Sequence, residues 1–412
     1  MKRHFTTTGI LLAFALLTPM PSFAIGRDLT PPRIAVKQAA PSLASDGVDF
    51  FAAWTETTST TTRIVAGRVT RSGLPLDGTG IVVAESSTSP SDRVSSPAVS
   101  FGAGAYLVVF TKGVSWDGDL MGRRFARDGA PIDAAPFLIA HNAGAPSVAF
   151  GGSRFFVAWP NYRGWSIIGT TVAADGSVSA AQQLTPPLTE ELKEEYGELE
   201  QPMIGWNGRH FLVVYIDWQY AETNFDPAPI IAWRVRVLRT SPLGAPLDAH
   251  TINAVEGGNT ASIACSDREC LVGATRSDAT SGGDIVAVVI HDDAVLHADA
   301  PKAAAASRMA GSAAAIAFDG ASYILTWHAG DSLLGSSHVS REGEPYALSV
   351  IGTAHPESYI NPYNAPPPPA LIANSAGDMA IVTSEFDNVW LTDRAKFYFA
   401  SELPVQRRRA AF

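Results

Sequence analysis

The sequence predicts an all-β chain, a seven-bladed β-propeller built from four-stranded antiparallel blades. Three observations predict it. A block of fourteen residues recurs with a spacing of about 55 residues. A second signature stands between successive blocks. The composition is β-rich, with charged residues at 17% and frequent Gly, Pro, Val and Thr.

The block reads PSLASDGVDFFAAW from Pro41, PAVSFGAGAYLVVF from Pro97 and PSVAFGGSRFFVAW from Pro146. It continues from Pro202, Ala261 and Ala314, and a faded seventh copy starts at Ala370. Its third position is a branched aliphatic, as in Leu43, Val99, Val148 and Ile204. Its fourth is small, as in Ala44, Ser100, Ala149 and Gly205. Small residues on a first strand suit the crowded strands nearest a propeller axis. A turn follows, such as Asp46-Gly47 or Asn207-Gly208, where glycine supplies the positive φ of a tight hairpin. An apolar run then ends on Trp54, Phe110, Trp159, Tyr215 or Trp327, read as packing between neighbouring sheets. Each block is two antiparallel strands and their turn.

The second signature is Arg68-Val69-Thr70-Arg71-Ser72-Gly73, repeated as Arg124 to Gly129, Thr171 to Gly176 and His338 to Gly343. Pro75, Pro131, Pro246 and Pro345 stand two residues beyond the glycine. This is a third strand, a turn and the start of a fourth, completing one blade. Ile34-Ala35-Val36 then offers a fourth strand with no first three. The seventh repeat has a third strand near 389–399 and little chain beyond it. The N-terminal strand is therefore expected to complete the last blade. A self-contained last blade ending in the tail 403–409 is the alternative.

The chain opens with Lys2 and Arg3, an apolar run from Ile10 to Leu17, and Ser22-Phe23-Ala24. This pattern predicts a secretory signal peptide over 1–24, then one propeller domain over 25–412. Losing Lys2 and Arg3 takes the formal net charge from −10 to −12. An acidic chain of this kind argues against a nucleic-acid partner and an anionic membrane surface. No membrane insertion of the mature chain is expected, and export places it in the periplasm or outside the cell. Cys265 and Cys270 occupy the positions where other blocks carry Phe101 with Tyr106 or Phe150 with Phe155. They are expected to form a cross-strand disulfide, which the oxidising location allows.

The two tight turns of each blade share one face of the ring. The loops between second and third strands, and the links between blades, share the other. Variable loops on a rigid scaffold are where binding residues concentrate. The candidate ligand-binding residues are accordingly Trp116 and Asp117 in the second blade, and Tyr162, Arg163 and Trp165 in the third. Asp217, Trp218 and Tyr220 follow in the fourth, His328 and Asp331 in the sixth, and Glu385 and Asp387 in the seventh. Aromatic rings beside carboxylates suit a sugar ring held by stacking and hydrogen bonds. They equally suit solvated loop tips. The acidic segment 188–200 reads either as a short amphipathic helix or as a solvated loop.

The sequence lacks a Gly-x-Ser-x-Gly elbow, a His-Glu-x-x-His pair and a phosphate-cradling loop. The nine His show no metal-ligand spacing. No metal and no cofactor are expected. The Pro-x-x-Ala-x-Asp-Gly blocks, with the Arg-x-x-x-Asp-Gly-x-Pro signature, resemble the repeats of secreted bacterial seven-bladed propeller proteins without an assigned activity. That resemblance implies an architecture and no catalytic residues. The first functional expectation is an exported, non-enzymatic binding module for a glycan or an envelope protein. A polysaccharide hydrolase or lyase with carboxylates at the channel mouth is the second, and a structural surface protein the third.

Overall fold

A computed structural model describes residues 27–28, 36–114, 117–163, 165–185, 199–220, 230–276, 284–305, 314–329, 333–353, 370–373, 379–387 and 392–399. The described residues form seven antiparallel sheets and no helix. The first sheet shows the plan. Lys37–Ser45 pairs with Phe50–Thr57, which pairs with Thr61–Val69, which pairs with Ile81–Ser87. The second sheet repeats it with Val94–Gly102, Ala105–Lys112, Gly118–Ala126 and Phe137–Ala143. The first strand of each sheet touches the first strand of the next. Ala370–Ala373 in the seventh sheet likewise touches Lys37–Ser45 in the first.

The seventh sheet takes its fourth strand from the N-terminus. Arg27 pairs with Phe397, and Asp28 with Lys396. The strand that does this is Arg27–Asp28, not Ile34-Ala35-Val36 as the sequence suggested. Ile34 and Ala35 lie outside the described residues, and Val36 is buried just ahead of the first sheet. The reason is local. The first strand begins four residues upstream of Pro41, across a bulge between Ala39 and Ser42 where Ala40 has φ of 50°. The same bulge recurs between Ser95 and Ala98. At Pro41, Pro97 and Pro202 the proline therefore marks a bulge inside the first strand, while Pro146 stands just ahead of its strand. Residues just before Pro41 already belong to the first strand.

Between sheets the packing is a steric interlock. The Phe150 ring of the third sheet lies where a side chain on Gly102 of the second would be, 1.9 Å from an ideal Cβ. Trp206 of the fourth sheet sits the same way over Gly151 of the third, at 2.1 Å. Where the fifth sheet lacks the aromatic, the Cys265 sulfur fills the space against Gly205, at 2.4 Å. Cys265 and Cys270 are disulfide-bonded across the hairpin. The residues that close the blocks are core: Trp54, Phe110, Trp159, Tyr215 and Trp327 are all buried.

Polar side chains finish the turns. Asp46, Asn207 and Asp319 each accept hydrogen bonds from two backbone N–H groups of their own turn. An acceptor side chain, as much as the glycine after it, explains the recurrent Asp or Asn. The third-to-fourth turns add ion pairs that the sequence signature showed only in half. Arg68, Arg124 and Arg239 each grip the aspartate nine residues on: Asp77, Asp133 and Asp248, at 2.6 Å in each case. In each pair one aspartate oxygen also accepts the arginine's own backbone N–H.

These pairs reach between sheets. The Arg239 guanidinium also donates to Asp292 of the fifth sheet, 2.7 Å away. Asp292 accepts from His210 and Asn207 as well, and its side chain is 2% exposed. Arg341 of the sixth sheet pairs with Asp267 and Glu269 of the fifth, each at 2.7 Å. Removing one partner of such a buried network leaves uncompensated charge. Arg239→Ala should therefore cost about 3 kcal/mol of stability in equilibrium urea unfolding. Lys302→Ala, which loses a part-exposed pair with the exposed Glu344, should cost less than about 1 kcal/mol.

Candidate loop-face site

Every second strand ends, and every third strand begins, at the end of the sheet opposite the polar turns. One register position there is charged in sheet after sheet. Glu56 faces Arg63, Lys112 faces Asp119, Asp217 faces Arg234, Arg276 faces Asp284, and Glu385 faces Arg394. Cross-strand neighbours share a face of the sheet, and two of these pairs are ion pairs: Asp217 with Arg234 at 3.7 Å and Arg276 with Asp284 at 3.9 Å. Two residues earlier the same strands carry the buried Trp54, Phe110 and Tyr215. The charges thus mark where the apolar seam between sheets gives way to the loop face.

Two groups on this face bring several candidate residues together. The first joins the second and third sheets. The Arg163 guanidinium donates to both Asp117 carboxylate oxygens, a two-pronged pair, with Nε to Oδ1 at 2.8 Å. This hydrogen bonding holds the guanidinium's pKa above its ordinary value. Asn161 accepts the Arg163 backbone N–H. Tyr162 is half-buried and lies against Gly144, where a Cβ would approach its ring to 2.7 Å. Trp165 is half-buried and has φ of 47°, a conformation rare for a bulky residue. Such strain persists only where the surroundings hold it, and it clusters at functional sites.

The second group is in the fourth sheet. Asp217 is 4% exposed. Its Oδ2 lies 3.1 Å from Arg236 and 3.7 Å from Arg234. Its Oδ1 is buried without a hydrogen-bond partner among the described residues. Burial pushes the carboxyl above the usual carboxylate range, against the pull of both arginines. Burial likewise pushes the neighbouring Tyr215 hydroxyl up to about 12. Arg234 faces Glu256 on its other side, and Glu256 is exposed. Trp218 points to the opposite side of the sheet, stacked on Trp233 with ring centroids 4.8 Å apart. It is partly buried and packs against the core between the fourth and fifth sheets.

The remaining candidates are not assembled with these. Trp116 and Asp331 lie outside the described residues, as does most of the acidic segment 188–200. Tyr220, His328, Glu385 and Asp387 are placed on their strands, with side chains outside the described residues. Sequence reasoning missed Glu56, which is 2% exposed and accepts hydrogen bonds from Gln38 and Trp54. It also missed Arg234, Arg236 and Glu256. The repeat held a signal for Glu56, because it occupies the register position of Asp217. Among the described residues no cluster of His, Cys, Asp or Glu could hold a metal ion. No described helix is long and apolar enough to cross a membrane.

No protein family description matches the sequence, and no curated protein matches it. Solved structures resemble the chain in arrangement. An exo-1,5-α-L-arabinanase from a bovine ruminal metagenomic library has a TM-score of 0.39 at 10% identity, covering 65% of this chain and 99% of that one. A native arabinanase from Bacillus subtilis has a TM-score of 0.38 at 10% identity, covering 62% and 94%. A protein from Lactobacillus plantarum has a TM-score of 0.46 at 12% identity, covering 82% and 94%. Likeness at this level concerns the arrangement of sheets and says nothing of the site residues.

The Asp217 environment sets a pH dependence of definite sign. Its carboxyl pKa is raised in the folded chain, so the folded state holds the proton longer than the unfolded state. The stability of the protein relative to Asp217→Asn should be greatest below about pH 4, the ordinary aspartate range. It should decline as pH rises through the folded-state pKa. Urea unfolding of both proteins from pH 3 to pH 7 checks this.

Proposed function

We propose that this chain is an exported, closed seven-bladed propeller that binds polysaccharide on its loop face. The binding site is centred on the seam between the second and third blades. The observation that carries this reading is the exposed Arg163, locked two-pronged onto Asp117 from the neighbouring sheet, on the same loop as Tyr162 and Trp165. A paired guanidinium and carboxylate offer donors and acceptors in one rigid plane, matched to adjacent sugar hydroxyls. An aromatic face beside them suits the apolar side of a pyranose ring. The short link through Gly144 and the strained Trp165 backbone hold these groups in place before any ligand arrives, which lowers the cost of binding. A glycan carried on an envelope protein would meet the same groups.

A second reading has its own support. The same face would cleave polysaccharide if Asp217 acts as the proton donor. Asp217 keeps its proton to higher pH than an ordinary carboxyl, as a general acid must. Glu256 lies two strands away in the same register row, which puts the two backbones roughly 10 Å apart. Carboxyls about 6.5–9.5 Å apart leave room for an activated water between them.

One experiment separates the readings. Affinity electrophoresis of the mature chain through gels carrying neutral and acidic polysaccharides should show retardation in at least one. Arg163→Ala should weaken that binding about tenfold, the usual cost of a lost charged hydrogen bond. Asp217→Asn should leave retardation unchanged. Release of reducing ends by the unmodified chain, abolished in Asp217→Asn, would establish the hydrolytic reading. Absence of retardation in every gel would overturn polysaccharide binding.

A further inference from the structure

One arginine on the loop face stands apart from the others. Arg63 has Glu85 as an ion-pair partner, Arg163 has Asp117, Arg234 has Asp217 and Arg276 has Asp284. Arg93 has no carboxylate partner among the described residues. Its side chain is half-buried, and its Nε is shielded from water with no hydrogen-bond acceptor among the described residues. Arg63 and Arg234 also keep a buried Nε without a hydrogen bond, but each has a carboxylate within ion-pair distance. A buried donor left open is costly, and native proteins satisfy nearly all of them with protein groups, water or a bound ion.

The surroundings explain why the fold supplies no acceptor. Arg93 stands immediately ahead of Val94–Gly102, the first strand of the second sheet, at its loop-face end. The preceding residue, Asp92, is already committed: its Oδ1 pairs with Lys112 at 3.2 Å, and its Oδ2 accepts the Ser87 hydroxyl at 3.0 Å. The Arg93 carbonyl accepts the Gly113 N–H at 2.8 Å, and Gly113 opens the loop that carries Asp117. Both Asp117 oxygens are taken by Arg163, and Asp119, where that loop ends, is bonded to His141. Each carboxylate around this loop thus has another partner, and the Arg93 charge is left for an acceptor from outside. The chain as a whole carries a formal net charge of −10. It has no general attraction for polyanions, so holding one takes a specific group of this kind.

We propose that the polysaccharide bound at the seam between the second and third blades is acidic, and that Arg93 takes the carboxylate or sulfate group of one of its sugars. A guanidinium binds such oxygens through paired N–H donors. This ligand chemistry rests on the polysaccharide reading of the loop face. The Arg163–Asp117 pair serves the hydroxyls of any sugar, whereas Arg93 selects acidic chains over neutral ones.

Equilibrium binding to immobilised polygalacturonate, dextran sulfate and unmodified dextran tests it. The unaltered chain is compared with Arg93→Met, which keeps the apolar stem and removes the charge. The unaltered chain should bind at least one acidic polymer more tightly than dextran, and the preferred polymer tells carboxylate from sulfate. Arg93→Met should weaken that binding about tenfold and leave any dextran binding unchanged. Its urea midpoint should equal or exceed that of the unaltered chain, because the substitution removes an unsatisfied donor. Equal binding of the acidic polymers by both proteins, or binding to neither acidic polymer, would overturn the proposal. Binding confined to dextran would overturn it while leaving polysaccharide binding in place, and the gel panel decides that reading separately. A lower urea midpoint for Arg93→Met would also overturn it, because the guanidinium would then be satisfied within the fold.

Discussion

The seams from the second to the fourth sheet depend on a steric interlock, in which one inner strand supplies a ring and its neighbour supplies no side chain. Phe150 over Gly102 and Trp206 over Gly151 are its clearest instances. A flat sheet has no reason to stop at any particular angle to the next. A ring seated in a gap the size of a missing methyl group sets the spacing and the stagger together. Protein interiors are packed like crystals, so such a contact admits little drift. At the cysteine pair a sulfur packs against a glycine one strand position away, Gly205, and a covalent bond replaces the ring contact across the hairpin.

The interlock divides the molecule into two unlike ends. At the turn end, recurrent arginines and aspartates tie neighbouring sheets together, and burial makes those ties costly to break. At the loop end the second and third strands carry charged residues at one shared register position in five sheets, and the connections between strands differ. Arg163 can reach Asp117 only because two neighbouring sheets are held rigidly at that distance. The buried Asp217 is a consequence of the same geometry. It occupies a seam position that Lys112 takes in the second sheet and Arg276 in the fifth, but two arginines and a core aromatic enclose it.

Much of the fold was legible because the repeat exposes its own logic. The small fourth position, the closing aromatic and the turn residues each recur for a reason that one copy would not reveal. The cysteine pairing followed from the register of the block. The N-terminal strand was misplaced by several residues because a bulge at Ala40 lengthens the first strand upstream of Pro41, and periodicity does not show a bulge. The site was less legible. Asp117 and Arg163 were both singled out, yet their pairing joins two sheets and no spacing in the chain encodes it. Trp218 read as a loop aromatic but lies on a strand that continues past the block, partly buried against the core. Arg234, Arg236 and Glu256 lie on strands where charged residues look like ordinary surface, and only the register across Asp217 gives them meaning.

The interlock is tested most directly by a double-mutant cycle on Gly151 and Trp206. Gly151→Ala places a methyl group within 2.1 Å of the Trp206 ring and should cost about 2–3 kcal/mol of stability. Trp206→Leu should remove most of that added cost, leaving a coupling energy of at least about 1 kcal/mol between the two positions. A stable Gly151→Ala protein, or changes that simply add, would contradict the claim that the sheets are spaced by this contact.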